Sequence, residues 1–233
     1  MEIINNLIQK IVPNRSFADI GPCFTVVHEK LSIAAAAGAS SLTAIDIMPK
    51  DHPSWDGLRD RLETECTMHS MDLLDYVGDP FDVVYCSGVA YHQPDPFAFF
   101  SKLFEITDHH LILKSLITPL QIGEFNLPNG ACVFMPSLNK KDRQVFSEDW
   151  KEWLLGWEAA GLTYPIEWDM NCRNWWWLFT VESLTSFCTL AGFSVVKIHL
   201  VSEREVIIHA TVNNFRHLLC DYWRLALFEF EQN

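Results

Sequence analysis

From Ser16 onward, short apolar runs alternate with longer segments of helical periodicity, and this rhythm is the feature that most constrains the fold. The apolar runs include SLTAIDI at 41–47, FDVVYCSG at 81–88 and HHLILKSLI at 109–117. Alternation of this kind is typical of parallel strands joined by crossover helices. The sequence therefore predicts an α/β protein with a doubly wound, Rossmann-like sheet.

Residues at the ends of the helical segments predict where several of the helices begin and end. A first helix is expected over Asn6 to Ile11, a first strand over 16–20, and a second helix over 27–37 that stops at Gly38. A later helix is expected to start at Thr180 as N-cap and to stop at Gly192, before two strands within SVVKIHLVSEREVIIHATV. His109 and His110 are interpreted as a solvated turn beside the fifth strand.

A chain of 233 residues is long enough for one sizeable domain, so 1–233 is expected to form a single unit. The rhythm stops at 118–173, where prolines punctuate a tryptophan-rich stretch, and this insertion is predicted to form a lid or a substrate wall. The last segment, 213–233, is predicted to be a helix whose apolar stripe packs on its own sheet. The alternative for that stripe is a homodimer contact.

The charge balance and the pattern of apolar residues exclude several classes of partner. With 17 basic and 30 acidic residues the chain carries a net charge of −13, so nucleic acid is an unfavourable partner. The apolar runs are too short for a membrane helix and the N-terminus lacks signal-peptide order, which predicts a cytoplasmic protein with no membrane association. The seven cysteines are scattered with no CxxC pair, which favours reduced thiols and no metal site.

Ligands of doubly wound sheets bind at the carboxyl ends of the strands, where the strand order reverses. Asp19 and Gly21 follow the first strand as the start of a D-x-G-x-x-x-G loop whose second glycine is replaced by Thr25. Gly21 would let the backbone approach a ligand closely. Asp46, after the second strand, is placed to accept the hydroxyls of a ribose, and Asp72, after the third, to accept an adenine amino group. A helix cap or a solvent-facing carboxylate is the alternative at Asp46, and an N-cap at Asp72.

The stretch FDVVYCSGVAYHQPDP at 81–96 makes the chain resemble the class I S-adenosylmethionine-dependent methyltransferases. The pattern is most similar to the group of the tRNA wobble-uridine carboxymethyltransferase, and NWWWLFTVESLTSFCTLAGFSVVKI at 174–198 extends it. The resemblance covers about residues 16–118 and 172–212. It implies a seven-stranded sheet with the last strand antiparallel, and S-adenosyl-L-methionine as cofactor, with Asp19, Gly21, Asp46, Asp72 and Ser87 lining its pocket. Because this chain is strongly acidic, the tRNA substrate is not carried over.

Methyl transfer requires proximity, exclusion of water and a destination for the proton of the acceptor. His92 is the candidate general base, with a purely structural role as the alternative, and Tyr91 is a candidate to contact the ligand. Asn174 and Trp175 are candidate substrate contacts, although packing in the core is the alternative for the tryptophans. The sequence predicts a methyltransferase acting on a small molecule, and the alternative is a non-catalytic relative that works as a protein-interaction subunit. An NAD-dependent oxidoreductase would need a G-x-G-x-x-G turn that this chain lacks.

Overall fold

A computed structural model describes residues 2–23, 29–122, 124–142, 144–145 and 176–212 of the chain. Its α-helices are α1 (Glu2–Ile11), α2 (Leu31–Ala36), α3 (Pro53–Arg59), α4 (Pro96–Glu105) and α5 (Val181–Ala191). Its strands are β1 (Ser16–Ile20), β2 (Ser41–Asp46), β3 (Thr67–Ser70), β4 (Phe81–Ser87), β5 (Thr107–Leu116), β6 (Gln121–Ile122), β7 (Phe125–Asn126), β8 (Cys132–Phe134), β9 (Trp177–Phe179), β10 (Phe193–Ser202) and β11 (Glu205–Val212). Short 3₁₀ helices cover Leu73–Asp75, Ala90–His92 and Met135–Ser137.

Seven of these strands form one sheet in the order β3-β2-β1-β4-β5-β11-β10. The strands from β3 to β5 run parallel, whereas β11 is antiparallel to both of its neighbours. The predicted doubly wound sheet, with seven strands and an antiparallel last strand, is confirmed. The strand order reverses between β1 and β4, so the carboxyl ends of these two strands mark the ligand-binding edge of such a sheet.

Helices cover both faces of this sheet, and each face has its own apolar core. On what we call the α1 face, residues of α1, α2 and α3 pack against strand residues; this core includes Ile8, Leu31, Trp55, Phe17, Tyr85, Ile112 and Ile207. On the opposite face, the α4 face, α4 and α5 pack on the alternate strand residues; this core includes Phe99, Leu103, Leu184, Ala18, Val84, Leu111 and Ile208. Because β4 and β5 are covered on both faces, their central residues are nearly all apolar.

Local sequence signals explain where several helices begin and end. Asp95 caps α4 by accepting a hydrogen bond from the amide of Ala98, and Thr180 caps α5 in the same way through its hydroxyl. Gly192 ends α5 in a left-handed conformation, with φ of +113°, as the sequence predicted. Gly38 is also left-handed and follows the end of α2.

The structure differs from the sequence predictions in three places. α1 begins at Glu2 rather than Asn6, because Ile4 as well as Ile8 is buried on its inner side. The second helix begins at Leu31, and residues 24–28 before it lie outside the described residues. The interpretation of His109 and His110 as a turn is wrong: both belong to β5, since β4 and β11 pair with the strand at His110.

The predicted insertion and the predicted last helix fall largely outside the described residues. Within 118–173 the structure describes the β6–β7 hairpin and β8, which pairs antiparallel with β9. Residues 146–173 and 213–233 are not described, so the lid and the C-terminal helix stay predictions. None of the described helices is long and apolar enough to cross a membrane.

Candidate functional site

Asp19 lies at the carboxyl edge of the sheet, on β1, and is almost completely buried. Its Oδ2 accepts a hydrogen bond of 2.8 Å from the amide of Lys30, which ties the end of β1 to the start of α2. Burial raises the pKa of this carboxyl to about 8, the bond from the Lys30 amide opposes that rise, and the charges of Glu29 and Asp46 add to it. A neutral Asp19 side chain is therefore the favoured form near neutral pH.

Asp46 closes β2 at the same edge and holds the two loops beside it. Its Oδ2 accepts a hydrogen bond of 2.8 Å from the amide of Cys23, and its Oδ1 accepts one of 2.9 Å from the amide of Met48. A carboxylate has about four lone-pair positions, and the side chain of Cys23 is also hydrogen-bonded to Asp46, so among the described residues about one position remains for a ligand hydroxyl. This geometry fits the predicted ribose contact, which stays a prediction.

Gly21 is needed for a contact within the protein. Its φ is +80°, and a Cβ at this position would lie 2.5 Å from Cγ2 of Val89 in the loop after β4. Glycine therefore lets the loops after β1 and β4 pack against each other. The sequence predicted that a ligand would approach the backbone of Gly21 closely, whereas in the structure the side chain of Val89 does so.

Ser87 and Asp72 complete the predicted cofactor residues. Ser87 is the last residue of β4, is half-buried and is hydrogen-bonded through its side chain to Tyr85. Asp72 is exposed and caps the 3₁₀ helix at Leu73–Asp75, since its Oδ1 accepts a bond of 2.9 Å from the amide of Leu74. The cap that was the alternative at Asp72 is present, and the adenine contact stays a prediction.

Tyr91 and His92 lie in the 3₁₀ helix that follows the β4 loop. Their ring centroids are 4.3 Å apart, Tyr91 is buried in the core of the α4 face, and His92 is half-buried. The carbonyl of Tyr91 accepts a hydrogen bond of 3.0 Å from the amide of Trp176. This bond holds Trp176, directly before β9, against the residue that precedes the candidate base. Asn174 and Trp175 lie outside the described residues, as does Thr25.

The two described tryptophans of the NWWW stretch pack with other aromatic residues. The ring of Trp176 stacks on Phe134 at 6.2 Å, and the ring of Trp177 lies 4.8 Å from the same phenylalanine. The indole nitrogen of Trp177 donates to the carbonyl of Pro94. These contacts agree with the packing alternative for the two residues.

Four polar residues that sequence reasoning missed surround a small cavity at this edge, on the α1 face: Lys30, Tyr85, Lys114 and Glu205. Nζ of Lys114 lies 3.0 Å from Oε1 of Glu205. The signal that could have identified Lys114 is its position as the one charged residue within the run LILKSLI at 111–117. Lys30 and Glu205 carry no comparable signal, because only the tertiary structure brings them to this cavity.

No family model matches the sequence, and no curated protein is similar to it in sequence. Solved structures are similar to it in fold. Magnesium protoporphyrin IX methyltransferase from Synechocystis PCC 6803, with bound SAH, is 17% identical, with a TM-score of 0.56 over 91% of this chain and 83% of that chain. The 1,6-didemethyltoxoflavin-N1-methyltransferase of Burkholderia thailandensis, with bound S-adenosylhomocysteine, is 13% identical, with a TM-score of 0.57 over 90% and 78%.

A third similar structure is the N-methyltransferase NodS from Bradyrhizobium japonicum WM9, which is 12% identical, with a TM-score of 0.51 over 91% of this chain and 96% of that chain. At these identities the likeness concerns the fold. The strand order and the antiparallel β11 agree with it. The chain has the fold of the class I S-adenosylmethionine-dependent methyltransferases.

Proposed function

We propose that this protein is an S-adenosylmethionine-dependent methyltransferase that acts on a small-molecule acceptor. The observation that carries the proposal is the position of Asp19, Asp46 and Ser87 at the carboxyl ends of β1, β2 and β4, on either side of the point where the strand order reverses. Two of the structural neighbours contain S-adenosylhomocysteine, the demethylated form of this cofactor.

The described residues fit such a cofactor best at Asp46, whose carboxylate keeps an acceptor position beside its bonds with Cys23 and Met48. Asp72, which is exposed after β3, would accept a hydrogen bond from the adenine amino group. The bound cofactor would supply an electrophilic methyl group on a sulfonium, transferred by in-line displacement.

His92 would accept the proton of an oxygen or nitrogen acceptor, because it lies in the segment that follows the carboxyl end of β4. Tyr91, Asn174 and Trp175 would line the acceptor site. A small molecule is favoured over a nucleic acid because the chain carries a net charge of −13, and the names of two neighbours describe small acceptors. A cytoplasmic location and a homodimer remain predictions.

A second candidate function is a non-catalytic relative that serves as a protein-interaction subunit. The observation that favours it is the contact of Val89 with Gly21, because the valine side chain occupies the space beside the glycine that a ligand was expected to use. Binding of the cofactor by the isolated chain separates the two functions.

The test is thermal unfolding of the full chain with S-adenosylhomocysteine. A ligand at about 100 times its Kd adds about 2.7 kcal/mol to the free energy of unfolding, which raises the midpoint by several degrees. Asp46→Asn should reduce this rise, because the amide nitrogen cannot accept a hydroxyl hydrogen. Asp60→Asn, at an exposed residue after α3, should preserve it. If millimolar ligand leaves the wild-type midpoint unchanged, the second candidate function replaces the first.

A further inference from the structure

A cavity of about 60 Å³ lies at the carboxyl edge of the sheet, on the α1 face. Its polar lining consists of the side chains of Lys30, Tyr85, Lys114 and Glu205, and Ile4 and Ile207 contribute apolar walls. A volume of this size holds roughly two water molecules, which is enough for one small polar group and too little for an aromatic ring. The cavity can thus receive a functional group of a larger ligand whose body stays outside.

Strand register brings the cavity residues together. Lys114 of β5 is paired with Ser87 of β4 on one side and with Ile207 of β11 on the other. Glu205 begins β11 opposite Leu116, so its carboxylate reaches the ammonium of Lys114 at 3.0 Å. The fourth polar group comes from outside the sheet, where Lys30 immediately precedes α2.

The two ammonium groups at this cavity can pair with an anionic ligand. Two lysines and one glutamate line it, and the charges of Asp19 and Glu29 act on Lys30 from outside the lining. Lys30 is only 4% exposed, and burial first, then the positive charge of Lys114, lower its pKa, whereas Asp19 and Glu29 act in the opposite direction.

The cavity lies apart from Asp46, the predicted ribose contact, although it adjoins Asp19 through the amide of Lys30 and Ser87 through the side chain of Tyr85. In the sheet order β2-β1-β4-β5-β11, Asp46 closes β2, whereas Lys114 and Glu205 belong to β5 and β11 on the other side of β4. A cofactor held at β1 and β2 would direct its reacting end toward β4. The acceptor would then approach from the side of β5 and β11, where Lys114 and Glu205 lie.

We propose that this cavity binds a carboxylate group of the acceptor, so that the substrate is a small organic acid. This inference rests on the proposed function. Each lysine can donate a charge-assisted hydrogen bond to a carboxylate oxygen, and such bonds are about twice as strong as neutral ones. The hydroxyl of Tyr85, held by its hydrogen bond with Ser87, gives the cavity a further polar contact.

The test uses acetate as a carboxylate probe and acetamide as its neutral counterpart of similar shape. Thermal unfolding of the full chain is measured with S-adenosylhomocysteine, in chloride buffers of equal ionic strength. Acetate should raise the midpoint by several degrees at saturation, and acetamide should leave it unchanged. Lys30→Met and Lys114→Met should each remove the rise caused by acetate, whereas Lys197→Met, at an exposed residue of β10, should retain it.

A variant with the opposite expected effect guards against simple misfolding. Glu205→Gln removes the carboxylate that competes for Lys114, so the acetate-induced rise should increase. A decrease with Glu205→Gln, or equal effects of acetate and acetamide on the wild type, would overturn the inference. If S-adenosylhomocysteine raises the midpoint and acetate does not, the cavity assignment fails and the proposed function stands.

Two further outcomes concern the source of the carboxylate. If Lys30→Met and Lys114→Met reduce the rise that S-adenosylhomocysteine causes by itself, the cavity holds the amino-acid end of the cofactor and the acceptor assignment is overturned. If acetate stabilises the protein and S-adenosylhomocysteine does not, the proposed function fails, and the assignment to an acceptor fails with it.

Discussion

Replacing Gly21 by alanine should destabilise the protein through two separable effects. The φ of +80° is unfavourable for a residue with a Cβ, at a cost of about 1–2 kcal/mol. The new Cβ would also lie 2.5 Å from Cγ2 of Val89, and forcing an extra carbon into a packed contact costs about 1–3 kcal/mol. We expect Gly21→Ala to lower the free energy of unfolding by about 2–5 kcal/mol, the sum of these two ranges.

Gly38 supplies a matched control for the backbone effect. Its φ is +84°, but a Cβ there would have no atom of the described residues within 4 Å. Gly38→Ala should therefore cost about 1–2 kcal/mol, and the difference between the two variants measures the overlap with Val89. Adding Val89→Ala to Gly21→Ala removes the overlapping methyl group and should recover part of the loss.

Urea unfolding followed by tryptophan fluorescence, at fixed pH and protein concentration, measures four variants: Gly21→Ala, Gly38→Ala, Val89→Ala and the double variant Gly21→Ala with Val89→Ala. In a double-mutant cycle, the double variant should lose less free energy of unfolding than the sum of the losses of Gly21→Ala and Val89→Ala. This is expected because the new Cβ and the valine methyl group would occupy the same space. Equal losses for Gly21→Ala and Gly38→Ala, or additive losses in the cycle, would show that the loops after β1 and β4 do not pack as described.

Three further perturbations have expected outcomes that chemical unfolding can measure. Burial raises the pKa of Asp19 to about 8, so the folded state keeps a proton that the unfolded state loses. The free energy of unfolding should therefore fall as pH rises from about 4 to 8. Asp19→Asn should flatten this slope, and an unchanged slope would contradict the assignment. Burial first, and then the neighbouring His209, lower the pKa of His110 to about 4, so the unfolded state binds the extra proton. The free energy of unfolding should therefore decrease as pH falls from about 6.5 to 4. His110→Asn should make this decrease smaller. Thr180→Ala removes the cap of α5 and should cost about 1 kcal/mol, whereas Thr185→Ala, inside the same helix, should cost less; equal losses would argue against the cap.

The fold could be predicted from the sequence because its signals are local. The central strands β1, β2, β4 and β5 contain short apolar runs, whereas β3 is mostly polar. The residues that cap or stop a helix stand next to it in the chain, as Thr180 and Gly192 do for α5. The error at His109 and His110 has a physical cause. Two polar residues look like a turn in sequence, yet His110 fits inside β5 because its Nδ1 lies 3.2 Å from Nε2 of His209 on the adjacent strand β11.

The candidate site was only partly predictable. The position of Asp19 and Asp46 at this edge could be predicted because the end of a strand can be recognised in sequence, and the carboxyl ends of parallel neighbours lie at one edge; their role as ligand contacts stays a prediction. Lys114 and Glu205 were missed because their contact depends on the antiparallel register of β11 against β5, which no local pattern specifies. The interpretation of Gly21 was incomplete for the same reason, since Val89 reaches it only through the pairing of β1 with β4.

The net charge of this protein disfavours nucleic acid, whereas the charges at the cavity concern a single small anion. The two differ because charges act over a limited distance in salt solution. The net charge of −13 opposes a polyanion, which must lie along an extended surface and meet many of the 30 acidic residues. Salt screens exposed charges beyond about 8–10 Å, so most of that surface charge has little effect on a partly buried cavity. There, two lysines and one glutamate form the lining, with Asp19 and Glu29 beside Lys30, in surroundings of lower dielectric constant, where each interaction is stronger than in water. An acidic protein can therefore reject nucleic acid and still bind a single carboxylate.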